Sequence, residues 1–249
     1  MPANDVASEY ATPQTADRAA RRTFVREMFS AIAPRYDLLN HLLSLNIDRR
    51  WRRRAIAELN WQAAPEGTYV DLCAGTLDVA AMLARQNGFV GRVLGADFAE
   101  PMLRIGRKKV ASDAVSAVVA DALELPLTDG TANGAVVAFG IRNVSDVDAA
   151  LDEAWRVLAP GARFVILEFT TPRRRLVRIL YHLYFHRVLP VVGRVVSGHR
   201  SAYRYLPESV AHFPAEVELA VRMRRAGFVD VQWRSLSFGV AAVHVGTKP

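Results

Sequence analysis

Tyr69-Val70-Asp71-Leu72-Cys73-Ala74-Gly75-Thr76-Leu77-Asp78 runs from a short apolar strand, through a turn of small residues, into the start of a helix. In doubly wound folds such a turn lies at the carboxyl end of the first strand, where small side chains let backbone approach a ligand and a helix N-terminus faces it. Gly75 and Ala74 suit that task. The turn matches neither G-x-G-x-x-G nor G-x-x-x-x-G-K-[ST], so it offers no cradle for a diphosphate or triphosphate.

Working outward, strands are predicted over Thr68–Leu72, Arg92–Asp97, Val115–Ala120, Ala135–Phe139 and Arg163–Phe169. Helices are predicted over Asp78–Gln86, Glu100–Val110 and Val147–Leu158. Short apolar strands alternating with amphipathic helices argue for a parallel sheet covered on both faces. The end differs. Val229–Leu236 and Val240–Gly246 are separated only by Ser237, Phe238 and Gly239, too short for a parallel crossover, so they pair as an antiparallel hairpin. The expected fold is α/β and Rossmann-like, mostly parallel, with a C-terminal antiparallel strand pair as in class I methyltransferases.

The N-terminal side adds a helical cap. Phe24, Met28, Phe29 and Ile32 recur at helical spacing until Pro34 interrupts them, and Ile47–Leu59 carries five arginines around Trp51. Residues 1–22 are read as a mobile tail and 23–249 as one domain, with the cap at 23–62 and a basic helical insert at 170–212. A chain of 249 residues suits one α/β domain, and 51% apolar with 23% charged residues marks it as globular rather than disordered. The single cysteine, Cys73, allows no internal disulfide and no metal cluster, so no metal is expected. No apolar run reaches the roughly 18 residues of a membrane span, and the start, with Asp5, Glu9 and Asp17, does not read as a signal peptide. A cytoplasmic protein is expected.

Three carboxylates follow successive strands. Asp71 opens the first loop, Asp97 ends the second strand 26 residues later and Asp121 follows the third. An acid at the second strand end accepts hydrogen bonds from both ribose hydroxyls, a role shared by nicotinamide and S-adenosylmethionine sites. Asp121 is placed to accept from an adenine amino group, with the Ala122 backbone beside the ring. A cofactor without phosphate needs no anion cradle, and a sulfonium cation tolerates nearby Asp71 and Asp78. Each acid alone reads equally well as a cap or turn residue.

Four stretches narrow the reading. They are Phe29-Ser30-Ala31-Ile32-Ala33-Pro34-Arg35-Tyr36-Asp37-Leu38-Leu39-Asn40, Ile47-Asp48-Arg49-Arg50-Trp51, Phe139-Gly140-Ile141-Arg142-Asn143-Val144, and Ser201-Ala202-Tyr203-Arg204-Tyr205-Leu206-Pro207-Glu208-Ser209. Through them the chain resembles the ubiquinone/menaquinone biosynthesis C-methyltransferase family, from about Phe24 to Lys248. The resemblance implies that Thr76, Asp97, Asp121 and Ala122 contact S-adenosylmethionine. It also implies C-methylation of a polyprenyl quinol, as in the conversion of demethylmenaquinol to menaquinol. Two positions depart from the family pattern: Leu77 replaces a glycine and is expected to crowd the methionine moiety, and Ala138 replaces a serine and loses a hydroxyl contact.

On the substrate side, Arg142 follows a strand end, where a fixed guanidinium stabilises a phenolate by charge-assisted hydrogen bonds. Tyr36, Asp37, Asn143 and Tyr203 are the candidates to position the ring, with Asp37 or an Arg142-held water taking the phenol proton. The alternative pairs Arg142 with Asp146 or Asp148 and packs Tyr36 and Tyr203 into the cap. The formal charge is +7, and Phe169–Pro207 holds eight arginines with no Asp or Glu. There Leu176, Ile179, Leu180 and Leu183 recur at helical spacing between Arg174, Arg175, Arg178 and His182. That pattern fits a helix lying on an anionic membrane surface on the inner face of the cell membrane, and equally a core-packed helix with a solvated basic face. Nucleic acid is disfavoured, because the insert has few base-reading polar groups. Benzoquinol or naphthoquinol substrate, another lipid or aromatic acceptor, and a homo-oligomer or quinone-biosynthesis complex all stay open.

Overall fold

The computed structural model describes residues 18–44, 46–110, 112–184, 187 and 200–249, with the side chains at 39, 41–43, 182 and 200–204 outside that description. One seven-stranded sheet organises it. Strands β1 (Thr68–Leu72), β2 (Arg92–Asp97), β3 (Val115–Val119), β4 (Ala132–Ala138) and β5 (Leu158–Phe169) are parallel, and β6 (Val229–Leu236) and β7 (Ala241–Thr247) close one edge. The order is β3-β2-β1-β4-β5-β7-β6, with β7 antiparallel to both neighbours. Strand order reverses between β1 and β4, and the carboxyl ends of the strands there border a crevice, the standard ligand position of such sheets.

The inner strands are apolar because both faces are covered. Val70, Leu72, Ala135, Val137, Phe164 and Ile166 join one core cluster, and Tyr69, Val136, Val165 and Leu167 join the other. Successive side chains point to opposite faces, so alternate residues sort to opposite clusters. Helices α4 (Asp78–Ala84), α5 (Glu100–Lys109) and α6 (Val147–Val157) connect the strands. Strands β4 and β5 begin earlier than expected: Ala132 pairs with Leu158, with an irregular register before Gly134. Small residues at the start of β4, and Pro160 with Gly161 in β5, hide this pairing from a propensity reading.

The expected cap divides in two. Helix α1 begins at Arg18, inside the stretch assigned to the tail, and runs to Ile32; Ala33–Arg35 forms a 3-10 turn at Pro34; α2 covers Tyr36–Leu43. The stripe Val25, Met28 and Ile32 packs against Tyr205 above the crevice. By contrast α3 (Ile47–Glu58) lies on the sheet, with Trp51, Ala55 and Ile56 in the same cluster as Tyr69 and Val136. In the basic insert, α7 spans Arg175–Leu183 and α8 Arg200–His212, followed by α9 over Glu216–Arg225. Among the described residues no helix is long and apolar enough to cross a membrane.

Candidate active site

A cleft of about 660 Å³ opens at the sheet reversal, and Gly75, Asp97, Asp121, Ala122, Phe139 and Asn143 are among its walls. Asp97 ends β2 with both carboxylate oxygens engaged: Oδ2 accepts from the Gly75 amide and Oδ1 from the Ala99 amide, each at 2.8 Å. Burial raises its pKa to about 6 against these two stabilising bonds. Each oxygen keeps a second lone pair, so the carboxylate, fixed by backbone, can still accept from two hydroxyls. Asp121 follows β3, accepts from the Leu123 amide at 3.1 Å, and pairs through Oδ2 with Arg22 of α1 at 2.8 Å.

Two residues expected to contact the cofactor are not among the cleft walls. Asp71 sits within β1, 2% exposed, and accepts from the Ala80 amide at 3.0 Å. It is not among the cleft residues, and burial pushes its pKa up to about 7. It organises the first turn of α4 instead. Thr76 is buried too, with its hydroxyl bonded to Asp37 and at 2.9 Å from Lys109 Nζ. Lys109, at the end of α5, also reaches Asp37 Oδ2 and Asp78 Oδ1 at 2.6 Å each. Asp37 thus belongs to a clasp joining α2 to the β1 loop, with both oxygens already accepting a donor. The sequence signal for Lys109 was a run of three cations at a helix C-terminus, which reads as a complement to the helix dipole.

On the acceptor side Arg142 is 7% exposed. Its guanidinium pairs with Glu168 Oε1 at 2.8 Å and donates to the Phe139 carbonyl. The expected alternative partners are otherwise engaged, Asp146 with Arg18 and Asp148 with Arg222, so the salt-bridge account holds with a partner that local sequence did not suggest. Asn143 lines the cleft, and Arg142, its neighbour in the chain, lies behind that wall rather than among the lining residues. Arg142 Nε and Asn143 Oδ1 are buried with no hydrogen-bond partner. Tyr36 lines the same cleft, and burial raises its phenol pKa against the opposing effects of Asn40, Arg52 and Arg142. The Tyr203 side chain lies outside the described residues; Tyr205, two positions on, is buried against Phe24 and faces the Arg142 and Glu168 charges.

Residues 15–248 match the ubiE/COQ5 methyltransferase family. The chain belongs to that family. It is 50% identical to the demethylmenaquinone methyltransferase of Thermus thermophilus, over 89% of this chain and 100% of that one. It is 45% identical to the ubiquinone/menaquinone biosynthesis C-methyltransferase UbiE of Geobacter sulfurreducens, over 90% and 88%. An S-adenosylmethionine-dependent methyltransferase structure from Thermotoga maritima shares the fold, with a TM-score of 0.62, 22% identity, and coverage of 90% and 100%.

This ubiE/COQ5 methyltransferase is an S-adenosylmethionine-dependent enzyme, and its cleft fits that cofactor by its own chemistry. Asp97 presents a backbone-fixed carboxylate and Asp121 a second carboxylate on the cleft wall, groups suited to hydroxyl and amine donors. Leu77, expected to crowd the methionine moiety, packs inward. It is 1% exposed and absent from the cleft wall. Its side chain fills the room left by two glycines: a Cβ on Gly95 of β2 would lie 2.3 Å from Leu77 Cδ2, and one on Gly106 of α5 would lie 2.8 Å from Leu77 Cγ. Ala138 does line the cleft, with a methyl group where a hydroxyl was expected to help. Gly140 lets the β4 turn pass Cys73, since a Cβ there would fall 2.3 Å from Cys73 Cβ.

Proposed function

We propose that the protein methylates a ring carbon of a polyprenyl quinol, converting demethylmenaquinol to menaquinol or acting at the matching step of ubiquinone biosynthesis. The carrying observation is the pair of buried, unpartnered atoms Arg142 Nε and Asn143 Oδ1, in a chain half identical to a demethylmenaquinone methyltransferase. One is a donor and one an acceptor, so a phenol hydroxyl satisfies both.

Bound S-adenosylmethionine supplies an electrophilic methyl group. A ring carbon beside a hydroxyl is a weak nucleophile until the phenol, with a pKa near 10 as for tyrosine, loses its proton. Arg142 stabilises the resulting phenolate, already oriented by Glu168 and the Phe139 carbonyl, so little reorganisation is needed during the reaction. Phe29, Tyr36 and Phe139 give the cleft an aromatic wall that holds the ring against the methyl donor, where orientation lowers the barrier. Asp37 keeps α2 and Tyr36 in place through Lys109.

The polyprenyl tail places the substrate in a bilayer, and α7 is the surface that meets it, on the inner face of the cell membrane. Tyr181 of α7 is buried, whereas Leu176, Ile179, Leu180 and Leu183 are all more than half exposed. Arg174, Arg175 and Arg178 flank that stripe. An apolar stripe bordered by arginines suits an anionic lipid surface. The test is incubation with labelled S-adenosylmethionine and membranes from cells lacking this gene. A label recovered on a quinol ring supports the reading, and a label on a phospholipid amine replaces it.

A further inference from the structure

We propose that Glu168 is the acceptor of the phenol proton, reached through one water beside Asn143, with Arg142 holding the carboxylate in place. The inference rests on the quinol reading above. Glu168 stands at the end of β5 and is 1% exposed. Its Oε1 accepts from Arg142 Nη1 and from the Phe169 amide, both at 2.8 Å. Oε2 has only a long 3.4 Å contact from the Arg142 amide, which leaves it the oxygen free to take a proton. Arg142 links the two neighbours: its Nη1 donates to Glu168 Oε1 and to the Phe139 carbonyl, which also accepts from Asn143 Nδ2.

Asp37, the other candidate carboxylate, is tied by the Lys109 ammonium and the Thr76 hydroxyl into the clasp between α2 and the β1 loop. The groups facing Glu168 are Arg142 on the turn after β4, Tyr181 on α7, Tyr205 on α8 and Cys73 after β1. Of these only Arg142 is charged at neutral pH. Burial raises the Glu168 pKa, and Arg142 and the two amides oppose that rise without cancelling it. A base of this kind is better matched to a phenol than an ordinary glutamate.

The step balances as follows. The phenol O–H breaks and its proton passes to Oε2; the ring carbon–methyl bond forms as the sulfur–methyl bond breaks. The proton on that carbon then leaves to solvent and restores the aromatic ring as a phenolate, which recovers the Glu168 proton. One proton is released for each methyl group transferred.

E168Q tests the assignment, since its amide oxygen can still accept from Arg142 and Phe169. Wild-type enzyme should methylate demethylmenaquinol in single turnover with a rate that rises with pH through a limb above the ordinary glutamate range. E168Q should lose that limb and fall in rate by about a hundredfold, the lower end of general acid–base contributions. Its cofactor affinity should stay near wild type. An infrared titration of the cofactor-free wild type should place the Glu168 carboxyl midpoint on the same limb. If E168Q does not fold, E168D takes its place and should keep the limb with a rate reduced about tenfold or more. A wild-type limb that persists in E168Q, an E168D rate equal to wild type, or a carboxyl midpoint away from the limb overturns the inference. No methylation of the quinol by wild type overturns the reading beneath it instead.

Discussion

On the cofactor side of the cleft, Asp97 is held by the amides of Gly75 and Ala99, all within the first β-α-β passage of the chain. On the acceptor side, Arg142 meets Glu168 from the next strand, α8 supplies Tyr205, and Arg21 of α1 donates to the Arg142 carbonyl at 3.0 Å across 121 residues. The first half is fixed by the backbone geometry of strand ends. The second exists only once distant helices have packed. Damage should therefore separate cleanly, with changes on one side altering binding and changes on the other altering chemistry.

The largest effect belongs to Arg142. Arg142→Ala and Arg142→Lys should each lower single-turnover methylation by about a hundred- to a thousandfold, the loss typical of one preorganised donor to a developing oxyanion. Lysine fails because it cannot bind Glu168 and Phe139 through one nitrogen, as Nη1 does, and still present a second fixed donor such as Nε. S-adenosylmethionine affinity, measured by calorimetry, should barely change. Normal turnover with a lowered melting temperature would make the Arg142–Glu168 pair purely structural and remove the distinction between the halves.

The membrane attachment proposed for α7 involves neither half and should be lost without touching either. Replacing Arg174, Arg175 and Arg178 with glutamine should weaken binding to anionic vesicles by up to about 1 kcal/mol for each arginine. Arg173 is left in place because it pairs with Glu216 at 3.2 Å. Equal flotation of both forms would detach α7 from the bilayer. Asp97→Ala should weaken S-adenosylmethionine binding by about 1.5–3 kcal/mol, the range for hydrogen bonds to a charged group; unchanged affinity would take Asp97 out of the site.

Leu77→Gly sharpens the comparison on the cofactor side. Losing a buried leucine costs about 2–5 kcal/mol, and relief of its left-handed backbone (φ 63°) returns about 1–2 kcal/mol. A net loss of stability with unaltered cofactor affinity is expected in thermal melts and calorimetry, and a gain in affinity would return Leu77 to the cleft. The smallest effect is with pH. Asp97 titrates at about 6 in the free protein, and ribose hydroxyls donate to its anionic form. Affinity should be full above that value and decline as pH falls through it, by at most about tenfold per unit. A flat affinity from pH 7 to 5 would contradict the ribose contact.

The cofactor half was legible because strand ends announce themselves: Asp97 and Asp121 each close an apolar run, and spacing alone puts them at one crevice. The hydrogen bond of Asp71 to α4 was not legible, since a carboxylate at the end of β1 looks identical in sequence whether it faces a ligand or the first turn of α4. The acceptor half was legible only in its residue types. Glu168 interrupts Val165-Ile166-Leu167, and a lone carboxylate in a buried strand was the available sign that a cation waits opposite. Helix phase, about 100° per residue, put Tyr205 on the buried face of α8, and the motif containing Tyr203 and Tyr205 did not set that phase. The packing of Leu77 was not legible because the space it fills belongs to Gly95 and Gly106, which are not its neighbours in the chain.

Helix α1 also bears on the order in which the molecule is made. Arg18, Arg21, Arg22 and Val25 rest on Asp146, the Arg142 carbonyl, Asp121 and Tyr205, so the segment that leaves the ribosome early has its landing places synthesised late. Domains form as units while synthesis proceeds from the N-terminus. Here α1 finds its first ion-pair partner, Asp121, only some hundred residues later, and the tyrosine that packs on it, Tyr205, later still.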